Sequence, residues 1–123
     1  MLMRYQFILK EKNHPFINMK YIIAESQIDS LIFKYLNDLN LYIIEDKEDY
    51  YFFTSKQSWS RGEFAIIAYH KKHNDCFISS SILTEITGFF SLDLNTSMNV
   101  IKDWVENKLG VDIGYPYSDV GAD

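Results

Sequence analysis

From residue 41 to residue 72, aromatic and β-branched residues crowd into strand-like segments punctuated by the acidic run Glu45-Asp46-Lys47-Glu48-Asp49. Such side chains suit the pleated surface of a sheet, so a sheet core with a charged rim is the constraint every other element must meet. Residues 41–45, 50–55 and 63–71 read as strands, the last two joined by a connection carrying Trp59, Arg61 and Gly62. In both of these strands the apolar residues fall on two faces, Tyr50 and Phe52 against Tyr51 and Phe53, and Phe64 and Ile66 against Ala65 and Ile67. That pattern predicts central strands covered on both sides.

The remaining elements arrange themselves around this sheet. Alternation over residues 4–10 and 19–24 predicts two further strands paired as a hairpin across a loose connection that contains His14 and Pro15. Ser26, with Asp29 three residues on, resembles a capping box, and Ile28, Leu31, Ile32, Tyr35, Leu36 and Leu39 recur on one helical face. Asn40 can take the left-handed conformation that ends such a helix. After a turn at residues 71–75, residues 76–79 read as a short strand, and Ile82, Leu83, Ile86, Phe89 and Phe90 outline a helix despite Thr84, Thr87 and Gly88. A second C-terminal helix is expected to be capped by Asn95, Thr96 or Ser97, to turn Met98, Ile101, Trp104, Val105 and Leu109 inward, and to stop at Gly110. Residues 111–123 read as an extended tail. The expectation is one α+β domain over residues 1–123, with a mainly antiparallel sheet of about five strands, one helix after the second strand and two helices near the C-terminus.

A chain of 123 residues can bury roughly two-thirds of its unfolded surface without disulfides or metal. No apolar run approaches the roughly 20 residues that a membrane-spanning helix needs. The N-terminus has no basic region leading into a long apolar stretch, and Cys76 is the single cysteine, so a cytoplasmic protein is expected. The net charge of −5 disfavours nucleic acid as a partner, because phosphate binding rests on Lys and Arg releasing counterions.

Chemistry-bearing clusters are sparse. His70, His73, Asp75 and Cys76 are ligand types that zinc accepts, but a single His pair lacks the second pair of a zinc pattern, so neither a metal nor another cofactor is expected. A metal-dependent enzyme built on His70, His73 and Asp75 is the weakest of the functional readings. Ser79-Ser80-Ser81 lacks a G-x-S-x-G elbow, and no phosphate-binding glycine loop occurs. Residues 86–104 have the outline of a helix-turn-helix, yet residues 73–123 hold two lysines against eight acids, a balance of −6 that leaves DNA no electrostatic footprint.

The charge map is the informative feature. Residues 25–49 carry seven acids against two lysines, a net −5, whereas residues 50–72 carry four bases against Glu63, a net +3. Glu45, Asp46, Glu48 and Asp49 therefore sit beside Tyr50 and Tyr51 as an acidic, aromatic patch, with Trp59 and Arg61 as a second pair of interface-type residues. Aromatic anchors with rim charges combine affinity with rapid association. In its small size, acidity, aromatic content and lack of a catalytic signature, the chain resembles the immunity proteins of bacterial contact-dependent growth inhibition and related polymorphic toxin systems. The resemblance lies in overall character, without an alignable motif, and assigns no residue by position. It implies a non-enzymatic protein that binds a cognate toxin domain, such as a nuclease, through its basic surface. The alternative is a small cytoplasmic adaptor or regulatory protein that homodimerises through its aromatic strands.

Overall fold

In a computed structural model of the chain, residues 4–9, 19–46, 49–60 and 63–119 are described, with side chains from Gln27 onward. The elements run β1 (Arg4–Leu9), β2 (Met19–Ala24), α1 (Glu25–Asp38), β3 (Tyr42–Asp46), β4 (Tyr50–Thr54), β5 (Ile67–His70), β6 (Asp75–Ile78), α2 (Ser80–Phe90), α3 (Leu94–Leu109) and β7 (Tyr115–Tyr117). The chain is thus α+β, with a mixed five-stranded sheet and three helices, as its periodicities predict. β1 and β2 pair antiparallel as a separate two-stranded sheet whose neighbours are α1 and α2.

The five-stranded sheet has the order β3-β4-β5-β6-β7, antiparallel until β7 joins β6 in parallel. Parallel neighbours need a crossover, and the α2–α3 pair supplies it. Among the described residues the helices pack on one face. Phe53, Ile67, Tyr69, Cys76 and Ile78 join Ile28, Ile32, Leu36, Ile101 and Val105 in one buried core. Trp104 stands at its centre: its ring lies 5.5 Å from that of Phe53, and its indole N–H donates to Asn37 Oδ1 at 2.9 Å, tying α3 to α1 and β4 at once.

Several local expectations need correction. β5 is shorter than the expected 63–71: Glu63 N donates to Ser60 O and Trp59 Nε1 donates to Phe64 O at 2.9 Å, which keeps Glu63 and Phe64 out of the strand. Phe64 consequently stands 66% exposed. The cap of α3 is Asp93, not Asn95, Thr96 or Ser97: its Oδ1 accepts from Thr96 N at 2.7 Å, and that bond holds the carboxyl below the usual range. α1 begins at Glu25, so Ser26 falls inside its first turn and does not flank it. Asn40 (φ 52°) and Gly110 (φ 68°) do adopt the left-handed conformation after their helices.

The expected tail is built into the sheet. Gly114 N donates to Asn74 O at 2.8 Å, and a Cβ on Gly114 would meet that oxygen at 3.0 Å, so the close approach that starts β7 needs glycine. Ile113 is buried, its N–H donating to Glu106 Oε2 at 2.7 Å. Further on, Asp119 Oδ1 accepts from Ser80 N at 3.1 Å and serves the first turn of α2, where Ser79 makes no side-chain cap.

Two glycines with open space around their missing Cβ separate conformation from packing. Gly88 lies inside α2 and Gly110 takes a positive φ. Gly88→Ala is expected to raise stability by about 1 kcal/mol through helix propensity, and Gly110→Ala to lower it by about 1 kcal/mol through left-handed strain. Urea unfolding of the two variants measures both, and effects of the same sign would contradict the assignment.

Candidate functional site

Because the side chains of a strand alternate between faces, enclosing Phe53 turns Phe52 the other way. The register carries this choice across the sheet. Ile44, Phe52, Ala68, Phe77 and Tyr117 form one cross-strand row on the second face, and Asp46, Tyr50, His70, Asp75 and Tyr115 form the next. None of these residues joins the helix-side core. Among the described residues β4 is covered by helices on one side only; on the other, Phe52 and Thr54 are still buried, Phe52 beneath the Trp59 ring, so the two covered faces expected of this strand are closed by different means.

On this face rings pack on rings. Tyr50 stacks on Phe52 (5.1 Å between centroids) and on His70 (4.5 Å), Trp59 folds over Phe52 from the β4–β5 connection (4.4 Å), and His70 meets His73 edge-on (4.2 Å). At the far edge Phe77, Tyr117 and Tyr115 form a second group, with the Tyr115 hydroxyl donating to Asp75 Oδ2 at 3.3 Å. Trp59 shields Phe52, whereas Tyr42, Tyr115 and Tyr117 remain 43%, 55% and 42% exposed. The result is an aromatic surface crossing all five strands.

The pleat divides the acidic patch. Asp46 and Tyr50 lie on the uncovered face, while Glu45 and Tyr51 lie on the helix side. There Glu45 Oε2 accepts from Lys71 Nζ at 2.7 Å, and Lys71 also stands over the Tyr51 ring at 4.4 Å. The bond from Lys71, and then one from the Tyr51 hydroxyl, holds the Glu45 carboxyl below its usual range; the same bond to Glu45 raises Lys71. Asp49 Oδ1 pairs with Lys72 at 3.3 Å, and the Asp49 carbonyl accepts from Lys71 N at 2.7 Å. Two of the expected carboxylates thus carry lysines from the β5–β6 turn, and the rim is of mixed charge. Glu48 and Arg61 lie outside the described residues, as does His14.

Tyr50 and Trp59 thus come together, along with Asp46, and Tyr51 does not join them. Residues 111–119 supply two rings that sequence reading left in a tail. The signal available for them was the alternation in Tyr115-Pro116-Tyr117, which places both tyrosines on one face of a strand. Among the described residues no group of three or more His, Cys, Asp or Glu side chains is close enough together to hold a metal ion, and no helix is long and apolar enough to cross a membrane. No protein-family model matches the chain, and no curated protein or solved structure matches it.

Cys76 sits on the helix side, fully enclosed, and burial pushes its thiol up to about 12, with the carboxylates of Asp75 and Glu106 adding to the shift. The reactive thiolate is then scarce at neutral pH. Native protein is expected to resist iodoacetamide, with labelling appearing only as urea unfolds it. Labelling at the rate of a free thiol in native buffer would contradict the enclosure.

Proposed function

We propose that this chain is a non-enzymatic binding protein of the immunity type. It engages the basic surface of a cognate toxin domain with the uncovered aromatic face of the sheet and its carboxylate rim. The observation that carries this reading is the aromatic face itself, since a contiguous surface of this kind outside the core is the usual mark of a protein interface. Tyrosine and tryptophan supply large contact area at low entropic cost and are enriched among the residues that dominate binding energy. The carboxylates give the encounter its sign. A nuclease cleft is basic because it must hold phosphate, so Asp46, Asp49 and the net charge of −5 favour approach to it.

Co-expression with the product of the neighbouring reading frame tests the proposal, with binding kinetics measured at low and high salt. Reversal of Asp46 and Asp49 to Lys is expected to slow association about tenfold at low salt, with the difference shrinking at high salt. Tyr50→Ala and Tyr117→Ala are expected to weaken affinity about thirtyfold, mainly through faster dissociation. Asp103→Lys on α3 should change neither rate appreciably. Undiminished protection and unchanged rates in all the face variants would remove this surface from the account.

The adaptor reading draws on the same face, because two copies could stack sheet on sheet at about 10 Å. Sedimentation at micromolar concentration discriminates: a stable dimer that Tyr117→Ala dissociates would favour the adaptor.

A further inference from the structure

β3 is the end strand of the five-stranded sheet, and among the described residues no strand pairs with its outer side. Such an edge presents unpaired N–H and C=O groups and is a template for another strand. Edges are commonly blunted by lysine or proline, and at the opposite end of this sheet Pro116 does so in β7. Tyr42-Ile43-Ile44 has neither, and Tyr42 and Ile43 are 43% and 44% exposed.

Beside Ile43 is an opening of about 220 Å³, lined chiefly by Leu36 and Asn37 of α1, Leu41, Ile43, and Trp104 and Lys108 of α3. Small-molecule sites run from roughly 300 to 1,000 Å³, so this smaller opening, apolar at Leu36, Leu41, Ile43 and Trp104 and polar at Asn37, Asn40 and Lys108, has room for one side chain with an aliphatic body. Residues directly opposite each other in a ladder share a face. A residue paired with Ile43 would therefore point to the helix side, where the opening lies. Two positions along on that face, the pairing residue would meet Glu45, whose side chain is 54% exposed and whose carboxylate keeps acceptor sites beyond those given to Lys71 and the Tyr51 hydroxyl.

We infer that the outer edge of β3 takes an extended segment of a partner protein as a sixth strand, with an apolar side chain opposite Ile43 and a basic one opposite Glu45. Main-chain hydrogen bonds would supply affinity, and the two side-chain positions specificity. Charge complementarity selects such a partner over a second copy of this chain. Antiparallel self-pairing centred on Ile43 sets Leu41 opposite Glu45, and pairing centred on Ile44 sets Glu45 opposite Ile43, so neither offers a base. The inference rests on the binding reading above and adds where the partner's backbone runs.

The test is an NMR titration of the labelled protein with a capped eight-residue peptide that has leucine and lysine two positions apart and threonine elsewhere. Amide shifts are expected to be confined to residues 42–46, together with the Trp104 indole N–H. N-methylation of the peptide along its pairing edge, or Ile43→Lys in a protein whose other resonances are unmoved, should each weaken binding about tenfold or more. Shifts centred on Tyr50, Phe77 and Tyr117, equal binding of the N-methylated peptide, or no shift at β3 up to about millimolar peptide would each overturn it. Toxin binding that survives Ile43→Lys but fails on reversal of Asp46 and Asp49 would overturn strand addition and leave the face standing. Binding indifferent to those reversals would count against the face alone.

Discussion

The contact between Phe53 and Trp104 decides the use of every strand in the sheet. Trp104 reaches β4 through its ring, α1 through its indole N–H and its own helix through the Lys108 ammonium 5.7 Å above it, so three elements converge on one side chain. With Phe53 enclosed, the pleat assigns Phe52 and Tyr50 to the opposite side, and the register extends the assignment to Ile44, Ala68, Phe77 and Tyr117. A one-residue slip would exchange the faces and drive Tyr50 and Asp46 toward the helices. The chain's two aromatic populations, one in the core and one outside it, are thus a single consequence of one fixed register.

The rim shows how a surface can be acidic in composition and still hold its charges in pairs. Glu45 and Asp49 each hold a lysine of the β5–β6 turn, but the side chain of Lys72 is 71% exposed and that of Glu45 54%. Ion pairs this exposed are worth little, because water and salt screen them and two long side chains lose freedom. A planar guanidinium binding a carboxylate through two parallel bonds is a stronger ligand than a lone ammonium, and it can displace one at small cost. Asp49 Oδ1, by contrast, is buried beside Lys72 and is not open to such a ligand.

Elements set by local pattern were readable in the sequence. The apolar stripe of α1, the left-handed Asn40 and Gly110, and the aromatic strand at residues 50–54 all follow from spacing and residue type. What escaped depends on groups distant along the chain. Lys71 meets Glu45 across 26 positions, and Asp119 serves α2 across 39, separations no periodicity encodes. β7 has three residues, one of them proline, and is recognisable as a strand only once Asn74 and Gly114 have brought it beside β6. Asp93 was passed over as a cap because three further capping types follow it within four positions, and only backbone geometry chooses among them. The acidic patch was legible as a composition and misleading as a surface, since alternation sends Glu45 and Asp46 to opposite faces.

The placement of β7 bears most directly on the breadth of the second face of the sheet. Its tyrosines enlarge the second face, and the strand reaches β6 through the α2–α3 crossover, with Ile113 buried in the core just before it. The second face is thereby backed by the buried core of the molecule. A rigid, broad, ring-covered face loses little entropy on association. In the proposed binding role, side chains of this kind, held flat by a sheet and rimmed by carboxylates, would discriminate partners by shape and charge.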